Sequence, residues 1–177
     1  MEKRQKRRRG AAVVEFALVG IVVIFLWIGV VQAGIGAWQY HTLQYSVKVA
    51  AAYMAMHGAD CATAGNSCSI EIENAAQVLE NAAVGIPPKT MSVTFTPYKS
   101  DHTTAAGGSY PVTCTLDKCL TNTTAYPPTG FGAPGSDIRI QASITVQPLM
   151  ALMVPYAGSV QYGTYTFTSD TQQTVLF

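Results

Sequence analysis

Glu15 is the residue whose type and position most clearly indicate chemistry, because it is an acid at the start of a long apolar segment. An ionised carboxylate costs about 2.5–3.5 kcal/mol at the centre of a membrane and less near its edge. Glu15 therefore either marks the start of a membrane span and reaches the headgroups, or neutralises a nearby positive charge. A cut after Gly10 would create such a charge, since an α-amine at Ala11 would lie one helical turn away, about 6 Å along the axis.

The segment after Glu15 has the length and composition of a membrane span. From Phe16 to Trp38 the only polar side chain is that of Gln32, and about 20 apolar residues suffice to cross a bilayer as a helix. Residues 1–10 carry six basic groups and one acidic group, whereas residues 11–177 carry five basic and nine acidic groups. Because basic flanks stay in the cytoplasm, we expect residues 39–177 to be exported, with Trp38 and Tyr40 at the aromatic interface belt.

The composition of the chain argues against two classes of protein. Apolar residues make up 49% of the chain and charged residues 12%, which excludes a disordered polypeptide. The net charge of +1 argues against a nucleic-acid-binding protein, and the basic run before Gly10 is interpreted as a signal for membrane topology.

Three fates of the apolar segment remain open from these residues. It can stay as an uncleaved anchor, or it can be a secretory signal, since Val31-Gln32-Ala33 suits signal peptidase. The apolar core of a signal peptide usually has about 7–15 residues, and this apolar run is longer. Its length argues against a secretory signal. The third fate is cleavage before the apolar segment, after Gly10.

The string from Arg8 to Leu18, RRGAAVVEFAL, resembles the amino-terminal motif of TadE-like proteins, the minor pilin-like components (TadE/TadF) of the Tad (Flp-type) pilus system. The resemblance implies that a prepilin peptidase cuts between Gly10 and Ala11, and that Glu15, followed by Phe16, neutralises the new amino terminus during assembly. It also implies a bacterial inner-membrane protein with a cytoplasmic amino terminus and a periplasmic domain. Its expected partners are the peptidase and other pilin-like subunits, with no nucleic acid and no small-molecule substrate.

The resemblance extends to the Ala-rich segment Gln44 to Gly58 and, loosely, to the pattern from Ile144 to Leu149 followed by Pro155. Residues 60–135 do not match it. Major pilins of this system are much shorter and carry Glu-Tyr, so the large exported part and the Glu15-Phe16 pair favour a minor subunit that serves pilus assembly or priming, at the cell surface or in the assembly base.

One long helix is predicted from about Ala12 to His57. Tyr40, Leu43, Val47 and Met54 recur at three- and four-residue steps, which is typical of the apolar stripe of a helix. Such a helix is about 70 Å long against a membrane core of about 30 Å, so its outer half forms a stalk. Small residues at four-residue spacing, a ridge suited to close helix packing, lie at Gly29, Ala33 and Ala37.

The sequence pattern of residues 59–177 predicts an α+β, pilin-like fold in which a small antiparallel sheet packs against the long helix. A second helix is expected over 70–84, ended by Gly85 and two prolines. Alternating apolar residues predict strands over 91–95 and 138–146, a weaker strand over 110–116, and a closing strand or hairpin over 162–168 and 172–176. The domain organisation is thus a leader at 1–10, a membrane and stalk helix at 11–58, and an exported domain at 59–177.

Four cysteines in an exported domain suggest two disulfides, with three possible connectivities. The simplest arrangement joins cysteines that are neighbours in the sequence, Cys61 with Cys68 and Cys114 with Cys119. A zinc site is the rival interpretation, but these spacings fit known zinc ligand patterns poorly, and neither His57 nor His102 completes one.

No catalytic motif is recognisable, because the sequence has no nucleophile elbow, zinc-protease pair, phosphate loop or dinucleotide fingerprint. We therefore expect no enzyme activity, no metal and no cofactor. The alternative hypothesis is a signal-anchored or secreted periplasmic binding module, with a periplasmic enzyme third.

Overall fold

The structure, a computed structural model, describes residues 2–57, 70–99, 101, 103, 110–128, 131–132, 134–148 and 163–175, with side chains of the first helix from residue 12 onward. The helices are α1 (Glu2–Met56), α2 (Ile72–Ala82) and α3 (Leu116–Cys119). The strands are β1 (Ile70–Glu71), β2 (Met91–Tyr98), β3 (Val112–Thr115), β4 (Ala125–Tyr126), β5 (Asp137–Val146) and β6 (Tyr165–Thr174). A 3₁₀ turn at Pro88–Thr90 leads into β2.

Helix α1 is one uninterrupted helix of 55 residues. It begins at Glu2, inside the basic leader and earlier than the predicted start near Ala12, because lysine, arginine and glutamine are good helix formers. The predicted stripe on its stalk is confirmed, since Leu43, Val47 and Met54 are fully buried. Tyr40, the first member of the predicted stripe, is 37% exposed.

Packing divides the chain into two compact units, Met1–Ala37 with Pro148–Gly163, and Trp38–Gln147 with Thr164–Phe177. The second unit holds a hydrophobic core built from the stalk part of α1, from α2 and α3, and from one face of the larger sheet. The predicted boundaries at residues 10 and 58 concern processing and export, and they stay predictions.

The larger sheet has four antiparallel strands in the order β3-β2-β5-β6. Its inner face is apolar, because residues alternate along a strand: Val93 and Phe95 of β2 and Ile140 of β5 are fully buried. The predicted antiparallel sheet is confirmed, and β6 is a single strand of ten residues rather than a hairpin. Strand β6 pairs with β5 along its full length, from Val146↔Tyr165 to Asp137↔Thr174. This pairing joins residues that are distant in the chain, so no local turn motif predicts it.

The outer face of this sheet is polar. The hydroxyl groups of Thr94 and Thr113 lie 3.0 Å apart on β2 and β3. Arg139 on β5 donates from Nε to both carboxylate oxygens of Asp170 on β6, at 2.8 and 2.9 Å. These hydrogen bonds to Asp170 raise the pKa of the Arg139 guanidinium. The pair is about 40% exposed (39% and 41%), so it contributes little to stability.

Helix α2 starts at Ile72, because the preceding two residues form β1 and pair with β4. The first amide groups of α2 have no partner inside the helix. Those of Ile72 and Glu73 donate at 3.0 Å to the carbonyls of Thr124 and Asn122. The buried face of α2 consists of Ile72, Ala75, Ala76 and Leu79, whereas Val78 and Ala82 are only half-buried.

Candidate functional site

The membrane-type segment of α1 presents its apolar side chains to the outside. By length and composition the helix can cross a membrane, and none of its most apolar window is buried inside the protein. A core helix of the same composition would be mostly buried, so this segment needs an apolar surrounding that the described residues do not provide. Its large exposed apolar side chains run from Val13 to Trp38, with Phe16 at 80% and Trp27 at 66% exposure.

The predicted processing residues lie near the start of this helix. Gly10 and Ala11 have helical backbone, and Glu15 is four residues after Ala11 on the same helix. Residues four apart share one face of a helix, so the backbone places the Ala11 nitrogen and the Glu15 side chain on one side. The Glu15 side chain is exposed, and it is therefore accessible to a positive group from the same chain or from another.

The three small residues of the predicted ridge lie on one exposed face of α1. Gly29, Ala33 and Ala37 are all exposed, and a Cβ atom added at Gly29 would meet no atom within 4 Å. The ridge is therefore unoccupied by the described residues and leaves room for another helix to approach closely.

One predicted cysteine pair is a disulfide in the structure. Cys114 of β3 is bonded to Cys119 in α3, with Cα atoms 5.6 Å apart. The bond attaches a buried helical turn to the edge strand of the sheet, since Leu116 and Cys119 are fully buried. Cys61 and Cys68 lie outside the described residues.

The described residues bring together no group of three or more histidine, cysteine, aspartate or glutamate side chains that could hold a metal ion. His41 is exposed on α1. The Nδ1 atom of His57 lies 2.7 Å from the carbonyl oxygen of Tyr53, one turn back along the helix. His102 lies outside the described residues. Asp101 accepts hydrogen bonds from the hydroxyl and amide groups of Thr103, at 2.6 and 2.9 Å, which lower the pKa of its carboxyl group.

The sequence did not predict an aromatic cluster that Phe95 of β2 forms with Tyr126 and Tyr110. Tyr126 on β4 packs edge-on against Phe95, with ring centres 5.6 Å apart, and lies 5.9 Å from the ring of Tyr110. Its hydroxyl group is buried and makes no hydrogen bond to the described residues. Burial raises the pKa of Tyr126 well above its ordinary value, with smaller contributions from Tyr110 and Tyr98. The available sequence signal was two Tyr-Pro dipeptides, Tyr110-Pro111 and Tyr126-Pro127, which do not by themselves indicate contact.

These features define the class: a pilin-like α+β protein with one long apolar helix and a small antiparallel sheet. Within it, residues 10–52 match the family model described as TadE-like protein. The resemblance seen in the sequence is thereby confirmed for the segment that contains Gly10, Glu15 and the small-residue ridge. The match stops within the stalk, before α2 and the sheet. No curated protein and no solved structure matches the chain.

Proposed function

We propose that this chain is a minor pilin-like subunit that serves the assembly or priming of a Tad-type adhesive pilus. It is a structural component rather than an enzyme. The observation that carries the proposal is the TadE-like match, which begins at Gly10 and covers the exposed apolar part of α1. The most apolar window of this helix has no buried residue. Such a helix can lie in a bilayer before assembly and can pack against neighbouring subunits after it.

In the proposed mechanism, the basic leader holds the amino terminus in the cytoplasm while residues 39–177 reach the periplasm. A prepilin peptidase then cuts between Gly10 and Ala11. The α-amine of Ala11 and the Glu15 carboxylate neutralise each other, within one chain or between neighbours, because both would otherwise be costly in a low-dielectric surrounding. The ridge at Gly29, Ala33 and Ala37 provides the surface for close lateral packing of helices.

Amino-terminal sequencing of the mature protein, in cells with and without the peptidase, tests this function directly. We expect a mature start at Ala11 that depends on the peptidase. A start at Gly34 would instead identify a secreted protein such as a periplasmic binding module, and a retained Met1 would identify a plain membrane anchor.

A pair of glycine substitutions makes the test specific to the cleavage site. Gly10→Leu should abolish processing, because a bulky side chain would occupy the position before the cut. Gly20→Leu is the matched control: a Cβ at Gly20 meets no atom within 4 Å, so processing should remain normal. Normal processing of the Gly10→Leu protein contradicts the proposed cut.

A further inference from the structure

Two large apolar side chains outside α1 are exposed at one end of the second unit. Val84 follows helix α2 and is 64% exposed, and Tyr165 opens strand β6 and is 58% exposed. Burying exposed apolar side chains of this size is favourable wherever an apolar or interfacial phase is within reach.

Contacts with α1 fix the level of both residues along the helix. Gly85, the neighbour of Val84, lies against the indole of Trp38, since a Cβ at Gly85 would stand 2.8 Å from Trp38 Cη2. Tyr40 lies against Phe167 of β6, with ring centres 5.9 Å apart. Phe167 is two residues from Tyr165, so both side chains lie on one face of the strand. Val84 and Tyr165 thus lie at the level of helix residues 38–40.

That level coincides with the end of the apolar segment. Trp38 is the last residue of the apolar run that starts at Phe16, and Trp and Tyr are enriched where a span meets the headgroups. Trp38 and Tyr40 are themselves 54% and 37% exposed. Four exposed apolar or aromatic side chains from three separate parts of the second unit therefore lie at the level of helix residues 38–40.

We propose that Trp38, Tyr40, Val84 and Tyr165 form a lipid-contact surface, by which the exported domain rests on the outer headgroup layer of the bilayer that α1 crosses. The occupant is the phospholipid interface, because Trp38 and Tyr40 stand where the apolar run of α1 ends and none of the four side chains is charged. Side chains of this type lie in the boundary between headgroups and acyl chains. The surface would hold the domain at a fixed height and rotation relative to the membrane. This inference rests on the membrane anchorage included in the proposed function.

Tryptophan fluorescence of the full-length protein in phospholipid vesicles tests the surface. The chain has two tryptophans, so Trp27→Phe with Trp38→Phe gives a background without tryptophan. Val84→Trp and Tyr165→Trp are then introduced singly, each at a position already exposed. Met56→Trp is the matched control: Met56 is 53% exposed on the same domain but lies about 27 Å beyond Trp38 along the helix. The quenchers are phospholipids brominated near the headgroup or near the bilayer centre.

We expect emission from positions 84 and 165 to be lost with lipids brominated near the headgroup, and emission from position 56 to be retained. The Trp38→Phe protein, which keeps Trp27, reports on the span and should be quenched by lipids brominated near the centre. If Trp27 is quenched while positions 84 and 165 keep full emission, the lipid-contact surface is wrong and the anchorage stands. If Trp27 also keeps its emission, the anchorage fails and the surface fails with it. Quenching at position 56 as strong as at 84 and 165 also overturns the proposal.

Discussion

The indole of Trp38 on helix α1 packs directly on the backbone of Gly85 in the turn after α2, where glycine contributes no side chain of its own. An ideal Cβ atom at Gly85 would lie 2.8 Å from Cη2 and 3.0 Å from Cζ3 of the indole. Gly85 also has φ of +83°, a backbone conformation that residues with a side chain rarely adopt. Two independent requirements, conformation and space, therefore demand glycine at this position.

Gly85→Ala should destabilise the second unit by about 2–5 kcal/mol. The left-handed backbone contributes about 1–2 kcal/mol, and the overpacking against Trp38 contributes about 1–3 kcal/mol more. The measurement is the free energy of unfolding of the full-length protein in detergent micelles, followed by near-ultraviolet circular dichroism.

Gly135→Ala separates the two causes. Gly135 has φ of +88° but open space around its Cα, so only the backbone cost of about 1–2 kcal/mol applies. Equal losses for the two substitutions would show that Trp38 does not crowd position 85.

The sequence predicted the parts of this fold that depend on local periodicity. The stripe of Leu43, Val47 and Met54 was predictable because helix period and burial coincide. The docking of Trp38 on Gly85 was not, because it depends on a contact between residues far apart in the chain. For the same reason β6 could not be distinguished from a hairpin, since its ten-residue pairing with β5 is long-range.

Leu43→Ala should cost about 2–5 kcal/mol, because it removes a fully buried side chain and leaves a cavity between the stalk and the domain. Tyr45→Ala is its control on the same helix: Tyr45 is 63% exposed, so the change should stay within about 0.5 kcal/mol. Chemical denaturation of both proteins checks the pair. Equal stabilities would mean that the domain does not use the stalk as part of its core.

Replacing both Cys114 and Cys119 by serine should lower the free energy of unfolding by about 2 kcal/mol. The loop that the disulfide closes is short, with a sequence separation of 5, so the entropy it removes from the unfolded chain is at the low end of the usual range. Denaturation of the oxidised wild type and of the double variant measures the difference. An unchanged stability would show that α3 is held in place by packing alone.

Tyr126 should make the domain sensitive to alkaline pH. Burial raises its pKa above the ordinary value of 10.0, so the unfolded chain loses this proton at a lower pH than the folded protein does. The stability that neutral Tyr126 contributes is fully present below about pH 10 and is lost as the pH rises further.

Tyr126→Phe should therefore reduce the alkaline loss of stability, with a remainder from Tyr110, whose pKa burial also raises. At neutral pH the substitution should change stability by less than about 1 kcal/mol or increase it, because the hydroxyl group has no partner among the described residues. Unfolding titrations at pH 7 and above pH 10 measure both effects. A large loss at neutral pH would reveal a hydrogen bond to this hydroxyl group.

The sequence could predict those residues of the candidate site that lie close together in the chain. Gly10, Glu15 and the apolar run lie on one helix, and the family match covers them as one segment. Val84 and Tyr165 were not predicted, because each is a single exposed apolar residue and the two lie far apart in the chain. Their shared position depends on how α2 and β6 pack against residues 38–40.

Glu15→Ala should leave processing largely intact and impair pilus assembly. Residue 15 lies outside the proposed cut between Gly10 and Ala11, whereas its carboxylate is the group proposed to neutralise the new α-amine. Val14→Ala, one residue away and also exposed on α1, is the control for a general loss of side-chain volume and should assemble normally. Mass spectrometry of the mature amino terminus reports processing, and the amount of pilus protein sheared from cells reports assembly. Normal piliation of the Glu15→Ala strain would contradict the role of this carboxylate, and loss of processing would move that role to recognition by the peptidase.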